Sequence, residues 1–169
     1  FSGSGSVELG ALGSATHEQD MTITASGLAG NDTTGGSSLE AGTLDTKGGT
    51  ITVDASGLLG KTTIGNVNAD NSATTKGDVV LEFGLGGFDA GVTTTGRNVT
   101  FDAANVLQNN NAMTHNVEET FSYTGSAVIN SGVHSVTPTG PSLTVVLDGN
   151  GAKDDLVTVT GDNTKDTTN

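Results

Sequence analysis

Cysteine and tryptophan are both absent from the 169 residues, and only two prolines occur. Without cysteine the chain can form neither disulfide bonds nor thiolate metal sites. Aromatic residues make up only 4% of the chain, so a core must be built from valine, leucine, isoleucine and alanine with a few phenylalanines. Glycine is frequent, at 26 residues, and frequent glycine with little proline favours many tight turns between short strands.

Basic residues are also few, and long apolar runs are missing. Six lysines and arginines stand against 19 acidic residues, which gives a net charge of −13. This charge has the wrong sign for binding nucleic acid or an anionic membrane. No run approaches the roughly 18 apolar residues of a transmembrane helix. We therefore expect neither a nucleic-acid partner nor membrane insertion.

The most informative pattern is a phrase that occurs nearly twice. Residues 23–30 read ITASGLAG, and residues 53–60, 30 positions later (53 − 23), read VDASGLLG. A degenerate third copy, FDAANVL, begins at Phe101, a further 48 positions along (101 − 53). A repeated strand that ends in a glycine corner favours a β scaffold built by stacking or duplication. The phrase is mostly apolar, which favours architecture over catalysis.

Alternating apolar and polar residues predict β-strands along most of the chain and no convincing helix. Residues 143–147 and 156–160 flank an acidic loop and predict either a hairpin or two successive rungs of a solenoid. Residues 31–49 and 65–78 are interpreted as polar loops. Residues 112–120 are the one segment in which we consider a helical turn or two.

The predicted fold class is all-β, with two architectures left open. One is an irregular β-solenoid-like stack and the other is a β-sandwich of short strands. The unequal repeat intervals argue against a strict solenoid, but the recurring strand and corner favour stacking. The predicted organisation is a flexible N-terminal arm over 1–20, a single β-rich domain over 21–160 and a polar tail over 161–169.

Two segments carry a family resemblance. Residues 52–60, TVDASGLLG, and residues 29–33, AGNDT, resemble the repeats of secreted bacterial surface-layer proteins and RTX-type adhesins. A complete Gly-Gly-x-Gly-x-Asp-x-Leu repeat does not occur, and the nearest match, over 149–156, has one extra residue. The resemblance implies an extracellular structural protein that binds Ca²⁺ in Gly/Asp turns and assembles into lattices or stalks.

Calcium is the one cofactor that the sequence gives reason to consider, because Ca²⁺ takes about six to eight oxygen ligands from tight turns. Two groups of oxygen-bearing side chains are candidates, and the alternative for both is an ordinary solvated turn. The first group is Asp148, Asn150, Asp154 and Asp155; the second is Asn66, Asn68, Asp70 and Asp78.

No residue pattern indicates catalysis. His17, His115 and His134 are scattered, form no metal-binding spacing, and are expected to be exposed. Glu118 and Glu119 are adjacent, so in a strand they would point to opposite faces and could not act as a glycosidase pair. We therefore predict that the protein is not an enzyme.

The predicted function is that of an extracellular or cell-surface structural protein. It would be a secreted, self-assembling surface-layer, filament or cell-adhesion subunit held by β contacts between copies of itself. Cell-surface glycans are a further candidate partner. The alternatives are a carbohydrate-binding module, for which Tyr123 is the only tyrosine available, and a viral spike or decoration protein.

Overall fold

The computed structural model describes ten parts of the chain, and the account below concerns these residues: 6–14, 18–26, 37–70, 75–84, 87, 92–103, 113–125, 133–140, 143–149 and 156–159. No helix occurs among them, and so none that is long and apolar enough to cross a membrane. The strands are β1 Ser6–Leu9, β2 Leu12–Ser14, β3 Met21–Ser26, β4 Ser38–Ala41, β5 Leu44–Thr46, β6 Ile51–Gly57, β7 Thr62–Ile64, β8 Val67–Asn68, β9 Val79–Phe83, β10 Thr93–Ala103, β11 Met113–Gly125, β12 Val133–Pro138, β13 Thr144–Gly149 and β14 Leu156–Val159.

Every pairing between these strands is parallel. The pairings form three ladders. Ladder one contains β1, β4 and β7. Ladder two runs β2, β5, β8, the first half of β10, the first half of β11, β12 and β14. Ladder three runs β3, β6, β9, the second half of β10, the second half of β11 and β13.

In the first rungs the chain passes through ladders one, two and three in turn and then returns to ladder one, one strand further along the stack. Each such circuit is one rung of a solenoid. The first three rungs are β1 to β3, β4 to β6 and β7 to β9, whereas β10 and β11 each cross ladders two and three as one continuous strand. The solenoid-like prediction is confirmed. The sandwich alternative is wrong for the described strands, because a sandwich of hairpins needs antiparallel pairs.

The first residues of the repeated phrase stack directly on those of its second copy, up to a register shift after Thr24. Ile23 of β3 aligns with Val53 of β6, so the two copies lie in neighbouring rungs. Val53 aligns with Leu81 of β9, and Leu81 aligns with Phe101 of β10. The third copy is therefore two rungs above the second, and the intervening rung, β9, does not carry the phrase. This explains the unequal intervals seen in the sequence.

Inward-facing side chains from the ladders form one apolar core. Leu44, Ile51 and Val53 in the first rungs are 0% exposed. Phe101 lies in the same column of aligned inward side chains as Val53, and its ring centre is 5.3 Å from that of Phe83 in a neighbouring column. Each such side chain contributes about 1.5–3 kcal/mol by leaving water, so the stacked columns supply the main stabilisation of the fold.

A column of glycines forms the corner where the chain enters ladder three. A Cβ on Gly77 would collide with the backbone of Gly49, and a Cβ on Gly49 would collide with the backbone of Gln19. Gly96 continues the column one rung above, where the next residue, Arg97, donates a backbone hydrogen bond of 2.8 Å to the Gly77 carbonyl. The rungs can approach this closely because these positions have no side chain.

Several sequence-based boundaries differ from the structure. The segments 31–49 and 65–78, interpreted as polar loops, contain β4, β5 and β8 and contribute Leu39, Leu44 and Val67 to the core. The helical turn considered over 112–120 is wrong for residues 113–120, because they belong to β11. The segment 1–20 contains β1 and β2, which pair with β4 and β5. The tail 161–169 lies outside the described residues.

Candidate functional site

The outward face of ladder three carries a row of carboxylates. Asp54, Glu82 and Asp102 align in register on three successive strands, about 4.8 Å apart along the ladder. We call these three residues the acidic row. Partial burial raises the pKa of Glu82 above its usual value, and the negative charges of Asp54 and Asp102 raise it further. The acidic row is therefore a site of like-charge repulsion within the fold.

The outward face of ladder two is different, because its upper rungs carry uncharged hydrogen-bonding side chains. Thr95 aligns with Asn116, and Asn116 aligns with Thr137. The Asn116 side-chain amide donates to the Thr95 hydroxyl at 3.2 Å. One rung below Thr95, the Asn68 amide donates to the Asp45 carboxylate at 3.4 Å. These side chains join one rung to the next.

Charged side chains of both signs meet near the glycine corner. The Arg97 guanidinium donates to both oxygens of Asp78 at 3.0 Å, and the Asn98 amide donates to the same carboxylate at 3.0 Å. Partial burial on its own would raise the pKa of Asp78, but the hydrogen bonds from Arg97 and Asn98 and the charge of Arg97 lower it below its usual value. This cluster connects the third rung to β10.

The same corner contains an irregularity in the pairing of β10 with β11. Val117 aligns with Gly96 and Thr120 aligns with Asn98, so Glu118 and Glu119 lie opposite the single residue Arg97. The Lys76 ammonium lies 3.9 Å from Glu118. The two glutamates therefore belong to the bend of the long strands, a role that their adjacency in sequence does not reveal.

The second group of calcium candidates contacts protein donors. The Asn66 side-chain oxygen accepts a hydrogen bond from the backbone N–H of Thr93 at 3.1 Å, and the Asn68 oxygen accepts one from the N–H of Asp70 at 3.1 Å. Asp70 forms an ion pair with Lys76 at 3.3 Å, and Asp78 is held by Arg97. Calcium binding at these residues stays a prediction.

The first group of calcium candidates lies mostly outside the described residues. The backbone of Asp148 is in β13 and aligns with Thr124 of β11, whereas Asn150, Asp154 and Asp155 are not described. Because β13 pairs with β11 and β14 pairs with β12, the loop between β13 and β14 connects successive rungs rather than a hairpin. Within the described parts of the chain, no group of three His, Asp or Glu side chains is placed to hold a metal ion.

His115 lies inside the solenoid with 0% exposure, so the expectation that it is exposed is wrong. Its Nδ1 is 2.8 Å from the Thr94 hydroxyl, and its ring centre is 4.6 Å from that of Phe121. The alternation of Met113, His115 and Val117 places all three inward, and this spacing is the feature that could have identified it. His17 and the side chain of His134 lie outside the described residues.

Tyr123 also lies in the interior, with 1% exposure. Its ring stacks on that of Phe101 at 6.1 Å between centres. A sugar-binding platform presents an aromatic face to solvent, and Tyr123 does not do so.

No protein-family model matches the sequence, and neither curated proteins nor solved structures give a match.

Proposed function

We propose that the protein is an extracellular structural subunit that self-assembles into a surface layer, filament or adhesin through β contacts between copies. One observation carries the proposal. The described residues form a parallel stack of rungs around one continuous buried apolar core. A stack of this kind repeats one rung along an axis, an architecture that suits an extended structural scaffold.

The edges of the stack support assembly for a second reason. In the described part of the chain, β3 pairs on one side only, with β6, and β13 pairs on one side only, with β11. An unpaired strand edge presents backbone N–H and C=O groups that can pair with another chain. Contact between copies could therefore use the same backbone pairing that joins the rungs within one copy.

Composition supports the extracellular location. The chain has no cysteine, an excess of acidic residues and only six basic residues, which is typical of exported bacterial surface proteins. Ca²⁺ is the proposed cofactor, near Asp148 and Asn150 or near Asn66 and Asn68. Bound Ca²⁺ would also reduce the repulsion between copies that each carry a charge of −13.

Assembly is tested by sedimentation velocity and negative-stain electron microscopy over a range of protein concentrations. We expect large ordered species that grow with concentration. Parallel samples contain millimolar CaCl₂ or EDTA, and loss of the assemblies in EDTA alone would support the calcium proposal. A species that stays monomeric at the highest concentration with CaCl₂ present would contradict the proposed function.

The carbohydrate-binding alternative loses its main candidate residue, because Tyr123 is in the core. A viral spike or decoration protein would form a closed oligomer of fixed size. Such an oligomer, with no growth as concentration rises, would favour that alternative in the same sedimentation experiment.

A further inference from the structure

One ionisable side chain, His115, occupies an inward position of ladder two. The register places it in a column of aligned inward residues with Leu44, Val67, Thr94 and Val136. All five side chains are 0% exposed. The imidazole therefore lies away from bulk water, in a column whose other named members are apolar except for Thr94.

The described contacts of the His115 ring include a hydroxyl and aromatic rings. Its Nδ1 lies 2.8 Å from the Thr94 hydroxyl oxygen. Its ring centre is 4.6 Å from that of Phe121 and 6.0 Å from that of Phe101. A neutral imidazole and a hydroxyl can each donate or accept a hydrogen bond, so these surroundings suit the neutral form of the ring.

The charged side chains of the strands around His115 lie outside the core. On β10 these residues are Arg97 and Asp102, and on β11 they are Glu118 and Glu119. Glu118 is half-buried and the other three are exposed. The buried polar side chains among the described residues are Ser37, Thr46, Thr62, Thr94 and His115. The described core thus contains no carboxylate.

A proton on His115 would place a positive charge inside the stack. An imidazole in water takes up this proton at about pH 6.5. Moving the resulting charge into an apolar interior is costly, and attraction to the faces of Phe101 and Phe121 offsets only part of the cost. Unfolding returns the ring to water, so a falling pH favours the unfolded chain.

We infer that His115 is a pH-sensitive switch, whose protonation in mild acid opens the part of the stack formed by β10, β11 and β12. The unfolded chain takes up one proton that the folded stack excludes. The unfolding equilibrium constant should therefore rise by up to about tenfold for each pH unit below about 6.5. The switch does not depend on self-assembly, because the ring and its contacts lie within one copy.

Tyrosine fluorescence provides a probe in the strand that carries His115. Tyr123 is the only tyrosine, and tryptophan is absent, so the signal comes from β11. Tyr123 is also buried, but a tyrosine loses its proton only at about pH 10. Urea unfolding is followed by this signal between about pH 7.5 and about pH 5, where histidine titrates and most carboxylates do not.

Two substitutions remove the titrating group. His115→Leu fills the position with an apolar side chain, and His115→Gln keeps a hydrogen-bonding group opposite Thr94. The pKa of Glu82 is raised, but its titration affects parent and variants alike. We therefore expect the ratio of the parent's unfolding constant to that of either variant to rise about tenfold per pH unit below about 6.5. A ratio that is constant over this window would indicate a purely structural histidine and overturn the inference.

The other two histidines supply a matched control. The double variant His17→Gln/His134→Gln leaves His115 as the only histidine and should keep the full pH dependence of the parent. If neither His115 variant folds, this double variant carries the test by itself. Loss of the pH dependence in it would assign the effect to the other histidines and overturn the inference.

The sign of the pH dependence is equally decisive. A parent that becomes more stable between about pH 6.5 and about pH 5 would show that the fold prefers the imidazolium, which contradicts the switch. All samples are kept at concentrations where sedimentation velocity shows a single species, so that self-assembly does not contribute. A failure of the proposed self-assembly would leave this result unchanged.

Discussion

The first three rungs and the two that follow use different ways of turning the chain. In the first three, strands are two to seven residues long and corners lie between them. In the next two, β10 and β11 run for 11 and 13 residues across two ladders. The interiors differ as well, because the first two rungs bury aliphatic side chains, whereas buried aromatic rings begin with Phe83 in the third rung and continue with Phe101, Phe121 and Tyr123.

The difference teaches that a rung can bend in two ways while the columns remain continuous. The early rungs bend where glycines let neighbouring backbones approach closely, as at Gly49 and Gly77. The long strands bend at Gly96, where the pairing is irregular and the charges of Arg97 and Asp78 meet. Packing of the columns, rather than a fixed strand length, is what the rungs share.

The largest expected effect comes from the aromatic part of the core. Phe101→Ala should lower the free energy of unfolding by about 3–5 kcal/mol, because it removes a fully buried ring and leaves a cavity. Val53→Ala, in the same column but in an early rung, should cost about 2 kcal/mol, since it removes two methyl groups' worth of apolar volume. Chemical denaturation of both variants measures the difference, and equal losses would contradict the contrast between the two regions.

The second effect tests the glycine corners. Gly77→Ala should cost about 1–3 kcal/mol, because the added methyl group would collide with the Gly49 backbone. Gly10→Ala is the matched control, because a Cβ there meets nothing within 4 Å. Thermal unfolding of the two variants provides the measurement, and a Gly77 variant as stable as the parent would mean that the corner relaxes freely.

The third effect is smaller and concerns the charged cluster that connects the third rung to β10. Asp78→Asn should cost about 0.5–1 kcal/mol at neutral pH, since the ion pair with Arg97 is largely solvated. The pKa of Asp78 is lowered in the folded state, so its contribution is complete at neutral pH and is lost as the pH falls through that lowered value. Unfolding midpoints of parent and variant should therefore converge in acid. A constant difference between them at all pH values would rule out this account.

The smallest effect has the opposite sign. The pKa of Glu82 is raised in the folded state, so its ionised form is destabilising, and the penalty appears as the pH rises through the raised value. Glu82→Gln should therefore raise the unfolding midpoint slightly at neutral pH and leave it unchanged in acid. Added salt should reduce the gain by screening Asp54 and Asp102. A loss of stability at neutral pH would contradict this assignment.

Sequence patterns predicted the strands that alternate cleanly over five or more residues, such as β3 and β6. They missed β5, β7 and β8, because two or three residues are too few to establish a period. The first half of β11 was obscured by His115, a polar residue at an inward position. The charged corner was not predicted, because Asp78 and Arg97 are 19 residues apart in sequence and meet only through the stacking of rungs.

The sequence by itself determined the β class, since frequent glycine, scarce aromatics and a repeated strand phrase leave little else that could bury a core. It also indicated that the two copies of the phrase belong to repeated units. Only the tertiary structure decided how many rungs separate the copies, which side chains share a column, and which charges oppose one another. These features depend on the register between parallel strands. That register is set by packing across rungs 20 or more residues apart, because no local hairpin turn fixes it.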